Sequence, residues 1–574
     1  MSEGEAVAVE EKVTSALPKS VQWAVAWLLI LSSIFIVNTI VMLFGLHIFA
    51  LSLPMCIIIA LVLLQWSSRA SQRPMQKSQL IKMGLVFLLA VILIGYFVAL
   101  IWEYSFWGRG YFTEAIVALT KGWNPIYDGA HGLSELAYRS TKAVWYVDAS
   151  IYSFLGHYEM AKSHTLLFAV PTFLLTRHCF EHLLDGKKRL ATTLTVLSIL
   201  NPVALSQVFT FYDDAVLAYA IQCFLVLVYL IVNEGYLHKD LLLTLSFLWI
   251  FIFHMQLEGL RAAFILAIAF GILMIFYFKK EAIRWLSIRF GIVVLTAMTI
   301  VGFNPIMQNL LDRGNPFYIY IGEHAVHQAE EFMPVLLEGE TWLGKFITST
   351  FASPDPEMFH QNIILQQLTA IIHTCYAQPD VYLRGFGFFG GILILIALIF
   401  LVIAMFLPKY RAECETAVYL ENGQEEISMT DDYMGIRAAL LWFIIPIIAI
   451  ALFTSTIWWA RTVAILWLLI PLAIIALNKG KKNGKSFFAK LLLILAFTNC
   501  ALVGASVVPT AVSYTNNMKG YWQRMSTEEL PSAEDAKIHN EYITQFKSWQ
   551  KLKAKGEADQ EKKAVWTKIE GLVK

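Results

Sequence analysis

The side chains of this 574-residue chain that could do chemistry sit in short polar interruptions of long apolar runs. The stretch SFWGRGYFTEAI at 105–116, preceded by Glu103, sets two acids and Arg109 among aromatic rings. Desolvation at a membrane boundary raises a carboxyl pKa, so Glu103 or Glu114 is a candidate general base for an acceptor hydroxyl. The same groups also read as plain boundary and helix-surface charges. Phe211-Tyr212-Asp213-Asp214 places two adjacent carboxylates in a short turn. They orient an acceptor, bind a divalent ion or fix a basic residue, or else are solvated turn residues. Arg313, within DRGNPFY (312–318), and Arg461, within STIWWAR (455–461), are candidates to clamp a phosphate through bidentate hydrogen bonds. Lys142 and Lys162 are further cations of this kind. Trp458 and Trp459 fit either an interfacial aromatic belt or a platform that stacks on a sugar or lines a polyprenyl groove. Glu258 and Arg261, three residues apart, read as a pair on one helix face. His324 and His327, with Glu323, Glu330 and Glu331 nearby, read as a solvated helix more readily than as a metal site. No metal ligand set is predicted; a divalent cation at the paired aspartates is the one cofactor left open.

The elements that must position these residues are membrane helices. The chain is 57% hydrophobic and 15% charged, against roughly a quarter charged for a soluble domain. No charged residue occurs between Lys19 and Arg69, room for two crossings of about 20 residues each. About thirteen spans are expected, near 22–44, 47–66, 80–102, 163–183, 190–209, 215–232, 241–256, 262–278, 286–303, 386–407, 437–455, 462–478 and 487–507, with Asn201-Pro202, Pro446 and Pro471 as places for kinks. Basic residues at 69–82, 187–189, 279–289, 409–411 and 479–490 fall on one side of that count, which the positive-inside rule makes cytoplasmic. The N-terminus is then cytoplasmic and the C-terminus extracytoplasmic.

The chain divides accordingly into N-terminal spans (1–102), a first extracytoplasmic loop (103–162), a transmembrane core (163–303), a second large loop (304–385), C-terminal spans (386–507) and a helical tail (508–574). In the tail, Ser532 and Asp535 form a capping signal ahead of Ile538, Tyr542, Phe546, Trp549 and Leu552, one apolar face of a helix. The acidic N-terminus has no basic segment of the signal-peptide type. Six scattered cysteines show no disulfide or metal spacing. A net charge of +1 offers no field for nucleic acid, and no Walker A loop is present.

Five stretches in register resemble the bacterial integral-membrane glycosyltransferases of the GT-C superfamily: GWNPIYDG (122–129), STKAVWYVDASIYSFLGHYEMAK (140–162), NPVALSQVFTFYDDAVLAY (201–219), GFNPIMQNLLDRGNPFYIYIG (302–322) and STIWWARTVAILWLLIP (455–471). The resemblance implies an all-α transmembrane bundle in the bacterial inner membrane, with the active site in its extracytoplasmic loops. It implies transfer of a hexose or pentose from a polyprenyl-phosphate donor to a glycan, lipid or protein acceptor, within polysaccharide biosynthesis of the cell envelope. A carboxylate of the first loop would activate the acceptor, and an Arg or Lys would hold the leaving phosphate. The first loop departs from the family pattern S-Y-D-G-x-x-Y-H-x-E-A-I: Trp107 stands at the acid position and Phe112 at the histidine position, while Ser105, Gly108, Tyr111, Glu114, Ala115 and Ile116 match. Either Glu114 or Glu103 replaces the missing base, or the chain is a non-catalytic relative that binds lipid-linked glycan or scaffolds an assembly complex. A transporter is a third reading, disfavoured because the charges cluster at the ends of the apolar runs.

Overall fold

The computed structural model describes residues 17–130, 132–233, 238–277, 280–322, 333–351, 379, 383–406, 435–478 and 486–526. Among these residues every regular element is helical. In chain order they are α1 (Lys19–Leu43), α2 (Ser52–Ala70), α3 (Lys77–Val98), α4 (Thr113–Thr120), α5 (Glu135–Arg139), α6 (Ala143–Leu155), α7 (His164–Leu183), α8 (Lys188–Ile199), α9 (Pro202–Gln207), α10 (Asp214–Asn233), α11 (Lys239–Phe253), α12 (Gln256–Tyr277), α13 (Lys280–Thr299), α14 (Gln308–Arg313), α15 (Trp342–Phe351), α16 (Gly390–Phe406), α17 (Ile436–Phe453), α18 (Leu469–Asn478) and α19 (Phe487–Ser526). A tighter helical stretch, Ala460–Leu468, runs directly into α18.

Eight helical segments among the described residues are long and apolar enough to cross a bilayer: α1, α2, α3, α10, α12, α17, Ala460–Asn478 and the first part of α19. A ninth is reached if Ile283–Thr299 and Phe303–Arg313, bent by 69°, count as one span. The expectation of about thirteen is therefore not met on length and apolarity. The reasons are local. α7 carries Arg177, His178, Glu181 and His182, α8 and α11 have 12 and 15 residues, and α16 has 17. Asn201-Pro202 ends one helix and starts another rather than kinking a single span, with Pro202 in the first turn and the Asn201 side chain accepting from the Val203 N–H. α19 continues without a break across the predicted boundary at 508, and 527–574, with the predicted tail helices, lies outside the described residues.

Burial sorts these helices. All 20 residues of α10 are buried, and α1 is nearly as enclosed, as expected of helices apolar on every side. α7 packs against both. α2, α3 and α19 bury well under half of their apolar windows and turn residues such as Ile58, Val62, Leu85 and Leu89 outward, the pattern of a bundle solvated by lipid. The two ends of α10 differ in chemistry. At its C-terminal end the His182 ring bonds the Tyr229 hydroxyl at 2.7 Å, next to the basic 187–189 turn. On the same end the Lys239 N–H reaches Ser71 Oγ at 2.9 Å, beside Arg69 and Arg73. At its N-terminal end, about 30 Å away along 20 residues, stand Asp213 and Asp214.

Candidate functional site

Four segments converge at the N-terminus of α10. The first is the 210–214 turn itself. The second is the 99–112 loop, pinned to that turn because the Phe211 N–H donates to Glu103 Oε2 at 2.7 Å and the Trp107 N–H donates to the Tyr212 hydroxyl at 3.0 Å. The third is the tight break between α11 and α12. There Gln256 takes a φ of +48°, and a Cβ on Gly259 would collide with the Ile252 carbonyl, so glycine permits the turn. The fourth is the start of the helix at Ala460.

These segments bring Arg461 against Asp214, Nε to Oδ2 at 3.1 Å, with both side chains over 90% buried. The guanidinium lies over the Tyr212 ring at 4.3 Å and the Trp459 ring at 4.4 Å. Gln207 Nε2 also donates to Asp214 Oδ2 at 2.8 Å, while its Oε1 accepts the Ala215 N–H, which fixes the first turn of α10. Asp213 accepts from Gln256 Nε2 at 2.5 Å. Burial, then the adjacent Asp214 carboxylate, push the Asp213 carboxyl well above the ordinary carboxylate range, against the pull of His164 and Arg461. Half-buried Tyr111 interacts electrostatically with Arg461, Asp213, Asp214 and Tyr320, and half-buried Glu258 with Arg261, Asp214 and Arg461. Beneath the turn, His164 Nδ1 meets Asp148 Oδ1 at 2.8 Å and Nε2 meets the Tyr212 carbonyl at 3.0 Å. The ring thus ties Asp148 to the 210–214 turn.

The site therefore gathers Asp213, Asp214, Arg461 and Trp459 from the residues singled out in the sequence and leaves most of the others elsewhere. Glu103 is a strut. Its Oε1 accepts from the Ser105 N–H and hydroxyl at 2.8 and 2.5 Å while its Oε2 holds Phe211. A Cβ on Gly108 would strike this carboxylate and Ser105, so the glycine lets the loop close over it. Burial pushes the Glu103 carboxyl up to about 7, against Lys162 and the Ser105 hydrogen bonds. Glu114 is buried with both oxygens on Ser134, from the N–H at 3.1 Å and the hydroxyl at 2.5 Å. Both carboxylates are thus engaged by groups of the protein itself.

The remaining cations and indoles are likewise held by contacts within the protein. Lys162 is fully buried, bonded to the Ile101 carbonyl at 2.6 Å and Glu159 at 2.7 Å. Lys142 is buried and spends its three donors on the Tyr138 and Ser140 carbonyls and Asn304 Oδ1; burial, then Arg139, pull it well below the ordinary lysine range. Arg313 is nearly half exposed, pairs with Glu135 at 3.3 Å and lies over Tyr318. Arg109 bonds the Tyr514 hydroxyl at 2.9 Å and docks α19 onto the first loop. Trp458 and Trp459 stack with planes 1° apart and are each 4% exposed. They pack with Leu337 and Leu383, so neither ring offers a face to a sugar. His324 and His327 lie outside the described residues, among which no group of three or more metal-ligating side chains occurs.

Sequence reasoning missed Tyr212, Gln207, Gln256, Tyr320 and the Asp148–His164 pair as parts of this site. The signal was present only for the pair, two polar residues inside apolar helices, where an unpaired charge is costly. No protein-family model, no curated protein and no solved structure matches this chain.

Proposed function

We propose that this chain is a membrane glycosyltransferase that moves a sugar from a polyprenyl-phosphate donor to an acceptor hydroxyl, with Asp213 as base and Arg461 as phosphate holder. The observation that carries the reading is the buried Arg461–Asp214 pair with Asp213 beside it, at one end of a lipid-solvated bundle. Asp214 and the Tyr212 and Trp459 rings fix the guanidinium, so its binding geometry is set before any ligand arrives. In the step, the acceptor oxygen attacks the anomeric carbon and its proton passes to the Asp213 carboxylate. The C–O bond to phosphate breaks, and the polyprenyl phosphate leaves with the bonding electron pair, its new charge met by Arg461. A raised carboxyl pKa brings Asp213 nearer to the working pH of a base. The concentration of basic residues at the far end of α10 supports an extracytoplasmic position for the site, the side on which lipid-linked sugars serve as donors. The acceptor class is a glycan, lipid or protein of the cell envelope.

The test is radiolabelled polyprenyl-phosphate sugar in proteoliposomes with the purified chain. Wild type releases label to the acceptor fraction, and Asp213→Asn, which keeps the Gln256 contact, loses at least a hundredfold in rate while melting like wild type. Full turnover by D213N would end the assignment of the base. A second reading, a non-catalytic relative that binds lipid-linked glycan, is favoured by Trp107 and Phe112 and by the structural use of Glu103 and Glu114. It predicts saturable binding of the donor with no label transferred.

A further inference from the structure

We infer that a lateral groove formed by α11, α13 and the end of α2, remote from Asp213 and Arg461, holds one anionic phospholipid. The groove encloses about 490 Å³ and is lined almost wholly by apolar side chains, among them Trp66, Trp249 and Ile292. That volume falls within the range of about 300–1,000 Å³ found for small-ligand sites. Among the described residues, the charged ones lining it are Lys239 and Arg289, and none is an acid. Trp66 and Ile292 are 65% and 58% exposed, so the groove opens sideways toward lipid rather than toward an aqueous end.

Its dimensions and polarity select the occupant. From Lys239 to Ile250 the wall of α11 rises about 16 Å, roughly half of a ~30 Å hydrocarbon core, which is the depth of one leaflet. The Trp249–Phe290 ring contact and the bond of His254 Nε2 to the Ala297 carbonyl set α13 alongside α11, both running from the same end. Trp285, one turn before Phe290, thereby comes level with the first half of α11, and the Arg289 guanidinium folds back over its ring at 3.4 Å. Both cations thus sit toward one end of the groove and the apolar wall occupies the rest. A glycerophospholipid with net negative charge matches this: one acyl chain along α11, phosphate between Lys239 and Arg289. A zwitterionic lipid would bring its own cation to the same place and lose that complementarity. The inference is independent of the sugar-transfer reading.

The experiment is native mass spectrometry of the detergent-purified chain given equimolar phosphatidylglycerol and phosphatidylcholine of identical acyl chains. The expected result is one retained phosphatidylglycerol, at least tenfold over phosphatidylcholine. The preference falls to near parity in K239Q/R289Q and survives in R289K. Both side chains are exposed, so the double variant should fold, with melting and gel filtration as controls. Ser246→Trp, which fills the groove and keeps the charges, should cut retention of both lipids at least fivefold. Equal retention of the two lipids by wild type overturns the inference. So does a preference unchanged in K239Q/R289Q, or displacement of phosphatidylglycerol by an equimolar polyprenyl phosphate.

Discussion

Replacing Arg461 by alanine tests the architecture of the carboxylate site before any substrate is known. Breaking a buried ion pair by removing one partner costs about 3–5 kcal/mol, because the other charge is left uncompensated. Three features set where in that range this pair falls. Asp214 keeps its Gln207 hydrogen bond at 2.8 Å, and as the first residue of α10 it feels a helix N-terminus worth about 0.3–1 kcal/mol to an anion. Against this, the variant loses two cation–π contacts, each worth about 0.5–2 kcal/mol. Together these give a loss of about 5 kcal/mol, several degrees in a melt followed by intrinsic fluorescence in detergent at fixed scan rate. The diagnostic is the second substitution. Asp214→Asn in the Arg461→Ala background removes the orphaned charge and keeps the Gln207 contact, so D214N/R461A should melt above R461A. If R461A melts with wild type, or the double variant melts below R461A, the pair does not hold the site together and the reasoning fails.

Glu103 gives a pH signature: with its folded value near 7 and its unfolded value near 4.5, the folded state binds the extra proton between those values. Stability should therefore fall as pH rises from about 4.5 to 7, by on the order of 3 kcal/mol, and Glu103→Gln should flatten that part of the melting-versus-pH curve; an unchanged slope counts against the assignment. Glu114→Gln keeps one acceptor for Ser134, so it should cost about 1–2 kcal/mol and leave sugar transfer within a fewfold of wild type. A hundredfold loss of transfer by a well-folded E114Q would return Glu114 to the base role. Trp458→Ala empties a buried stack and should destabilise by about 3–5 kcal/mol with donor KM unchanged, whereas a raised KM at unchanged stability would make the indole a ligand contact.

Helix positions were largely legible from the sequence, because the cost of burying charge in lipid is paid locally and shows as uncharged runs. The apolar stretches from Lys19 to Arg69 and from Asp214 to Asn233 became α1, α2 and α10. Which helices could cross was less legible, since a polar segment such as α7 is buried against α1 and α10 by its neighbours and not by its own composition. The candidate site divided along the same line. Asp213, Asp214 and Arg461 stood out as charges at the ends of apolar runs, and they meet. Glu103, Glu114, Lys142 and Lys162 stood out for the same reason and are consumed by backbone groups and nearby side chains.

Sequence by itself thus determined a helical membrane chain with acids and arginines gathered at helix ends and basic turns elsewhere. Only the tertiary structure decided which of those charges are struts and which share one site. The reason is that apolar periodicity is a property of neighbours along the chain, while the partner of a buried charge is chosen by the packing of segments that the sequence keeps far apart.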